Sequence, residues 1–305
     1  PATRTGYSFL GWYADPAFTG SPVTNLHTMD AENKHYYARW STPDSYSVTY
    51  HLNDATPAGH PATNPNTVTS YNVLSSDFTL APATRTGYTF EGWYADAAYT
   101  TPVTGLHVQD LEDKNFHMKW SPAIVYPITY VMNDAAPAGH PATNDAANPG
   151  GFQVTDPLIT LQQPTRPGYD CQGWYADAAL TTPVGTINPA SATNHTVYAK
   201  WSAAKTYTVQ WTLNDGTPAG HPASNPNTVT SYTVLDPNVT LAPATRTGYD
   251  FEGWYDNAAF SGSPITGFSA SDAANKHFYA KWSAAKSYTV QWSLNDGTPA
   301  GHPAT

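Results

Sequence analysis

"GYTFEGWYADAAYTTPV", Gly87 to Val103, starts as a strand and then breaks its own rule. In an extended chain successive side chains point to opposite faces. Tyr88, Phe90, Gly92 and Tyr94 therefore share one face, and Trp93 falls on the other with Thr89 and Glu91. Two readings are open. Glycine inside a strand often marks a bulge, and a bulge at Gly92 turns Trp93 back into the core. Otherwise Trp93 is an exposed aromatic platform for stacking on a sugar or packing against another subunit.

The phrase is repeated. Trp12, Trp93, Trp174 and Trp254 are 81, 81 and 80 residues apart, and Trp40, Trp120, Trp201 and Trp282 are 80, 81 and 81 apart. A steady period near 81 residues exceeds the roughly 20–50 residues of solenoid repeats and means tandem modules. The boundaries fall at 1–40 (the C-terminal part of a module), 46–120, 126–201, 207–282 and 288–305 (the first strand and loop of a further one).

Each copy reads as β. Tyr46, Val48, Tyr50 and Leu52 alternate with small or polar residues, as do Tyr126, Ile128, Tyr130 and Met132, then Tyr207, Val209, Trp211 and Leu213, then Tyr288, Val290, Trp292 and Leu294. A second strand, "KHFYAKW", puts Phe278, Ala280 and Trp282 on one face, with Phe116, Met118 and Trp120 as counterparts. "SYTVL" at 231–235 and "YDFEGWY" at 249–255 complete the set, and loops such as "NDGTPAGHPASNPN" carry turn chemistry. Only "YADAA" and "SDAAN" have room for a helical turn. The expected fold is mainly β, with Trp40, Trp120, Trp201 and Trp282 as core anchors.

Phe9, Phe90, Cys171 and Phe251 form one column, so the single cysteine reads as a small hydrophobe at a core position, and no intrachain disulfide is available. The connectors "WSTPDSY", "WSPAIVY", "WSAAKTY" and "WSAAKSY" each place the next strand's Tyr six residues after the Trp. Links this short restrict the angle between modules and predict a stiff, elongated array.

Charge is sparse and acidic, with 13 Lys+Arg against 23 Asp+Glu and a net of −10. Nucleic acid is not an expected partner, because the positive residues stand singly. No run of apolar residues is long enough to insert in a membrane as a helix. His60, His140, His221 and His302 recur in the "PAGHPA" loop. One histidine per module makes no metal site, so the column reads as turn stabilisation or as a contact to the adjoining module. No catalytic set recurs with the repeat, and no enzyme, cofactor or metal is expected.

The pattern "YxVxW/Y…ND", then "P(A)TRTGYxFxGWYxDxA…TPV", then "YAKW" resembles the Listeria–Bacteroides repeat, also called the internalin-type B-repeat, of bacterial surface proteins. The resemblance implies modules similar to the β-grasp of ubiquitin and SUMO, set in a tandem stalk of a cell-wall or secreted adhesin. It implies an extracellular location and no enzymatic activity. The "NDxxPAGHPA" loop is longer than the Asn-Gly-Gly-like turn usual there. The expected function is a structural segment of a long surface protein, forming a stalk or a polymeric fibre, with neighbouring repeats or other copies of itself as partners. The alternative is an adhesive module that binds host glycan or protein, a host or matrix ligand, through exposed Trp and Tyr, with Trp12, Trp93, Trp174 and Trp254 as the candidate contact surface. Buried tryptophans favour the first, and an open groove of them favours the second.

Overall fold

The computed structural model describes residues 1–27 and 32–293. Their regular structure is β-strand with three short 3-10 turns, Val108–Asp110, Pro189–Ser191 and Ala270–Asp272. The last of these overlaps the "SDAAN" stretch, and "YADAA" forms bends and turns after its tyrosine ends a strand. The described residues group into two compact units. One holds Pro1–Ile128, Pro149–Ile159 and Thr186–His195, and the other the remainder.

Residues 46–120 show the module whole. Its main-sheet strands are β1 (Tyr46–His51), β2 (Ser70–Tyr71), β3 (Phe90–Tyr94), β4 (Pro102–Val103) and β5 (Lys114–Trp120), and two short pairs, Ala62–Thr63 with Thr84–Arg85 and Phe78–Thr79 with Gly105–Leu106, lie in the segments between them. They form one sheet in the order β2-β1-β5-β3-β4. The central pair, β1 with β5, is parallel and the rest are antiparallel. A parallel pair needs a long crossover. Here the whole module between His51 and Lys114 supplies it, and its loops cover one face of the sheet where a helix would otherwise lie. Val48, Tyr71, Leu80, Ala83, Trp93, Leu106, Val108, Phe116 and Met118 meet beneath those loops as the core. Ser47, Thr49, Glu91 and Asn115 point the other way and are exposed.

The same strand order recurs in 126–201 and, without the short edge strand, in 207–282. Met118 becomes Ala199 and Ala280, all at 0 % exposure, so the centre of the core tolerates a change of volume between copies. Among the described residues of 1–43 the strands form a two-stranded pair, Tyr7–Tyr13 with Tyr37–Pro43.

Three expectations need correction. "SYTVL" is a strand only over Ser231–Tyr232, because a turn begins at Val234. The strand expected at 288–294 is absent over residues 288–293, where Tyr288, Val290 and Trp292 are 73 %, 72 % and 86 % exposed. The matching segment Tyr207–Thr212 is held between Ser231–Tyr232 and Lys276–Trp282. No described residue offers 288–293 such neighbours, and an isolated strand is not stable in water. Leu294 lies outside the described residues. Finally, Trp40, Trp120, Trp201 and Trp282 are half-buried rather than enclosed.

Candidate functional site: the junction between repeats

The Gly-Trp-Tyr phrase resolves inside each module. Along β3 and β5, Trp93 pairs with Met118, Gly92 with Lys119 and Phe90 with Trp120, leaving Glu91 without a partner. Gly92 has φ +133°, a backbone conformation that side chains rarely adopt. This is the bulge, and it returns Trp93 to the face of Phe116. Register shifts recur at Phe9/Gly11, Cys171/Gly173 and Phe251/Gly253. Trp93, Trp174 and Trp254 are consequently 3 %, 3 % and 1 % exposed, and their indole N–H groups donate to the carbonyls of Ala81, Gln162 and Ala242. They form no contact surface, contrary to the exposed-platform reading. Trp12 alone of the column is exposed, at 39 %, because no β1 equivalent lies over it among the described residues.

The half-buried tryptophans close each module at its other end. Trp120, Trp201 and Trp282 donate to the carbonyls of Leu52, Met132 and Leu213 at 2.8, 2.6 and 2.6 Å. Phe90 and Phe251 pack edge-on against Trp120 and Trp282, as Phe9 does against Trp40. Cys171 occupies that column half-buried, with its sulfur accepting from the Gly173 N–H at 3.3 Å.

Contacts between modules gather on a different phrase, the "RTGY" or "RPGY" at Arg4, Arg85, Arg166 and Arg246. Its glycine is a seat. Gly6, Gly87 and Gly168 have φ of +70°, +80° and +79°, and a Cβ on them would stand 1.8, 2.3 and 2.3 Å from the nearest methyl of Val73, Val154 and Val234. Each valine belongs to the following module, in the turn just after its second strand. Val154 and Val234 are 5 % and 4 % exposed. The glycine carbonyl also accepts from the connector: Asp44, Ile124 and Lys205 donate to Gly6, Gly87 and Gly168 at 2.9, 2.8 and 2.8 Å. Further bonds fasten particular junctions. Gln153 Nε2 donates to the Ala123 carbonyl at 2.9 Å, and Lys205 Nζ lies 2.7 Å from Asp170 Oδ1. The Asp170 carboxylate holds the Lys205 ammonium above its usual range through that bond.

One residue before the seat's threonine or proline, the arginine is buried. Arg85, Arg166 and Arg246 are 6 %, 5 % and 6 % exposed. Arg85 Nε donates to the His60 carbonyl at 2.8 Å, and one of its terminal nitrogens to those of Thr56, Asp54 and Pro57 at 3.1, 3.3 and 3.4 Å. The guanidinium carbon sits 4.1 Å from the centre of the Tyr88 ring, the residue after the seat. Arg166 and Arg246 repeat the cage with the carbonyls of His140 and His221. A guanidinium has five donors and no acceptor, so a ring of carbonyls suits it. The long "NDxxPAGHPA" loop is thus a wrapping for a buried cation. The histidine column contributes backbone to it, with the His60, His140 and His221 rings 6.5, 6.3 and 6.1 Å from Tyr88, Tyr169 and Tyr249. His302 lies outside the described residues.

Sequence reasoning singled out Gly-Trp-Tyr and passed over Arg-Thr-Gly-Tyr. The signal was present, since an arginine recurring in step with the period in an arginine-poor chain is not a solvated surface charge.

Arg-seat-Tyr phrase, bulged Gly-Trp-Tyr strand and closing tryptophan recur together, and comparison with known proteins agrees with that unit. The Listeria-Bacteroides repeat domain matches residues 1–39, 46–109, 126–200 and 207–281. A protein of Evansella cellulosilytica called a Gly-rich membrane protein is 26 % identical over 312 residues, covering 97 % of this chain and 32 % of the relative. A second, called a membrane protein, from the same organism is 24 % identical over 303 residues, covering 98 % of this chain and 42 % of the relative. The chain thus spans less than half the length of either relative. No solved structure matches the chain. With four matched segments that together cover most of its length, the chain belongs to the Listeria-Bacteroides repeat family.

Proposed function

We propose that this chain is a structural segment of a long extracellular bacterial protein, in which repeats locked end to end form a stalk or a fibre. The recurrent junction carries the reading. Three times, a glycine without a side chain receives a valine of the next repeat while its carbonyl bonds the connector. A flexible string of domains needs no such fit. The central parallel pair of the sheet is in keeping with the β-grasp kinship that the resemblance implies. Burial of Trp93, Trp174 and Trp254 weighs against adhesion through an aromatic platform in the complete modules.

Small-angle scattering on a recombinant stretch of four complete modules tests it. Four modules in line, each with a radius of gyration near 12 Å, give about 35 Å overall, whereas one globule of this length gives about 19 Å. A value near the globular one sinks both the stalk and the fibre. Labelling of intact cells with antibody to the chain tests the location, and staining that needs permeabilised cells counts against it.

A further inference from the structure

His51 on β1 and His117 on β5 are direct partners across the parallel pair. They lie on the face opposite the core, beside Asn115. Their rings stack with centroids 4.2 Å apart and planes within 6°. His51 Nε2 is 3.0 Å from Asn115 Oδ1. An amide oxygen only accepts, so Nε2 is the donor in that bond and Nδ1 is the ring nitrogen left for a ligand. Burial, then the neighbouring His51, holds His117 below the usual histidine range, against a weaker pull from Asp96. Neutral imidazole is the form in which histidine ligates a metal.

We propose that His51 and His117 together form a bidentate site for a divalent transition ion of the zinc, nickel and copper class. Imidazole suits these ions. With metal–nitrogen bonds of about 2.0–2.1 Å, tetrahedral ligation sets two nitrogens about 3.3 Å apart. Rings 4.2 Å apart reach that separation by turning about χ2, a broad torsion in histidine. Among the described residues no group of three or more His, Cys, Asp or Glu is assembled, so water completes the shell. The pair is private to this repeat. Val131 with Tyr198, and Thr212 with Tyr279, occupy the same places in the next two, so the pair supplies one site per chain.

Zinc chloride titrated into the full chain in a non-chelating buffer, followed by calorimetry and by the histidine ring resonances, tests the assignment. The expected result is one ion per chain, released by a chelator, with the His51 and His117 signals moving first among the 11 histidines. Affinity should drop at least tenfold in His117→Tyr and in His51→Thr. Both substitutions install residues that other repeats carry at those positions, and thermal melts verify that the variants fold. Absence of binding, binding unchanged in both variants, or movement of other histidine signals in place of these two overturns the site.

Discussion

Replacing Gly87 by Ala tests whether the glycine seat couples one repeat to the next. The new Cβ would stand 2.3 and 2.5 Å from the two methyls of Val154, at a backbone φ of +80°. The left-handed conformation alone costs an alanine about 1–2 kcal/mol. Relieving the clash adds about 1–3 kcal/mol of overpacking if the junction holds. If it opens, part of the roughly 1.5–3 kcal/mol from burying a valine is lost instead. Gly248 supplies the control. It has φ +83° and accepts from the Lys286 amide at 2.8 Å, as Gly87 does from Ile124, but nothing lies within 4 Å of its Cβ position. Gly248→Ala should therefore show the strain of about 1–2 kcal/mol alone. Hydrogen exchange by mass spectrometry on the full chain separates the two. Gly87→Ala should speed exchange at the Ile124 amide and around Val154 in the next module, and Gly248→Ala should act only within its own turn. Equal effects, each confined to the substituted turn, would mean that the Val154 contact couples nothing.

Four further expectations follow from the same geometry. Arg166→Met removes a buried cation from its ring of carbonyls, leaves them unpaired, and should lower stability by about 1–3 kcal/mol, read as early loss of the module containing His140 in denaturant; a surface-like change below about 0.5 kcal/mol would contradict the cage. Trp120→Ala deletes a half-buried ring and its bond to Leu52, and should cost about 3 kcal/mol, the low end for tryptophan truncation, by urea unfolding. Cys171 is half-buried, so thiol reagents should label the folded chain more slowly than the denatured one but not be excluded, and Cys171→Phe, which restores the residue of the other copies, should be neutral or mildly stabilising. Because His117 has a depressed pKa in the fold, the unfolded chain takes up more protons as pH falls through about 6.5, so stability present above that pH is lost below it, and His117→Tyr should flatten that part of a melting-temperature profile.

What the sequence made legible was whatever repeats with a short period. The strand around Val48 and Tyr50 and the one around Phe116 and Met118 follow from alternation, and their counterparts recur at the 81-residue spacing. The conflict at Trp93 could be stated from the sequence but not resolved, because the bulge depends on which residues of β5 pair with Phe90 and Gly92 on either side of Glu91. Pairing across the sheet is a long-range property. The same holds for the glycine seats. Gly87 reads locally as a turn glycine, and only the position of Val154, in another module, shows why a side chain is excluded there. The Arg85 cage was hidden for a further reason. Its acceptors are backbone carbonyls, which every residue has, so no side-chain pattern announces them.

In the module 46–120 the two glycines do opposite jobs, one within the module and one toward the next repeat. Gly92 bends a strand so that Trp93 faces inward, adding a large aromatic to a core that has no helix above it. A module of this size is marginal alone, since so small a domain buries a limited share of its surface. Gly87 looks outward and lets the next repeat approach until Val154 is 5 % exposed, so part of the apolar surface that stabilises one module is supplied by its neighbour. In such an array stability is the sum of module terms and nearest-neighbour terms. Adding repeats then adds interfaces as well as cores, and an interior module gains from both sides while a terminal one gains from one. Unfolding should accordingly start at the terminal modules and move inward, and a chain with Gly168→Ala should break into two blocks that melt at different denaturant concentrations. A single transition, unshifted by that substitution, would show that the modules hold themselves up without their neighbours.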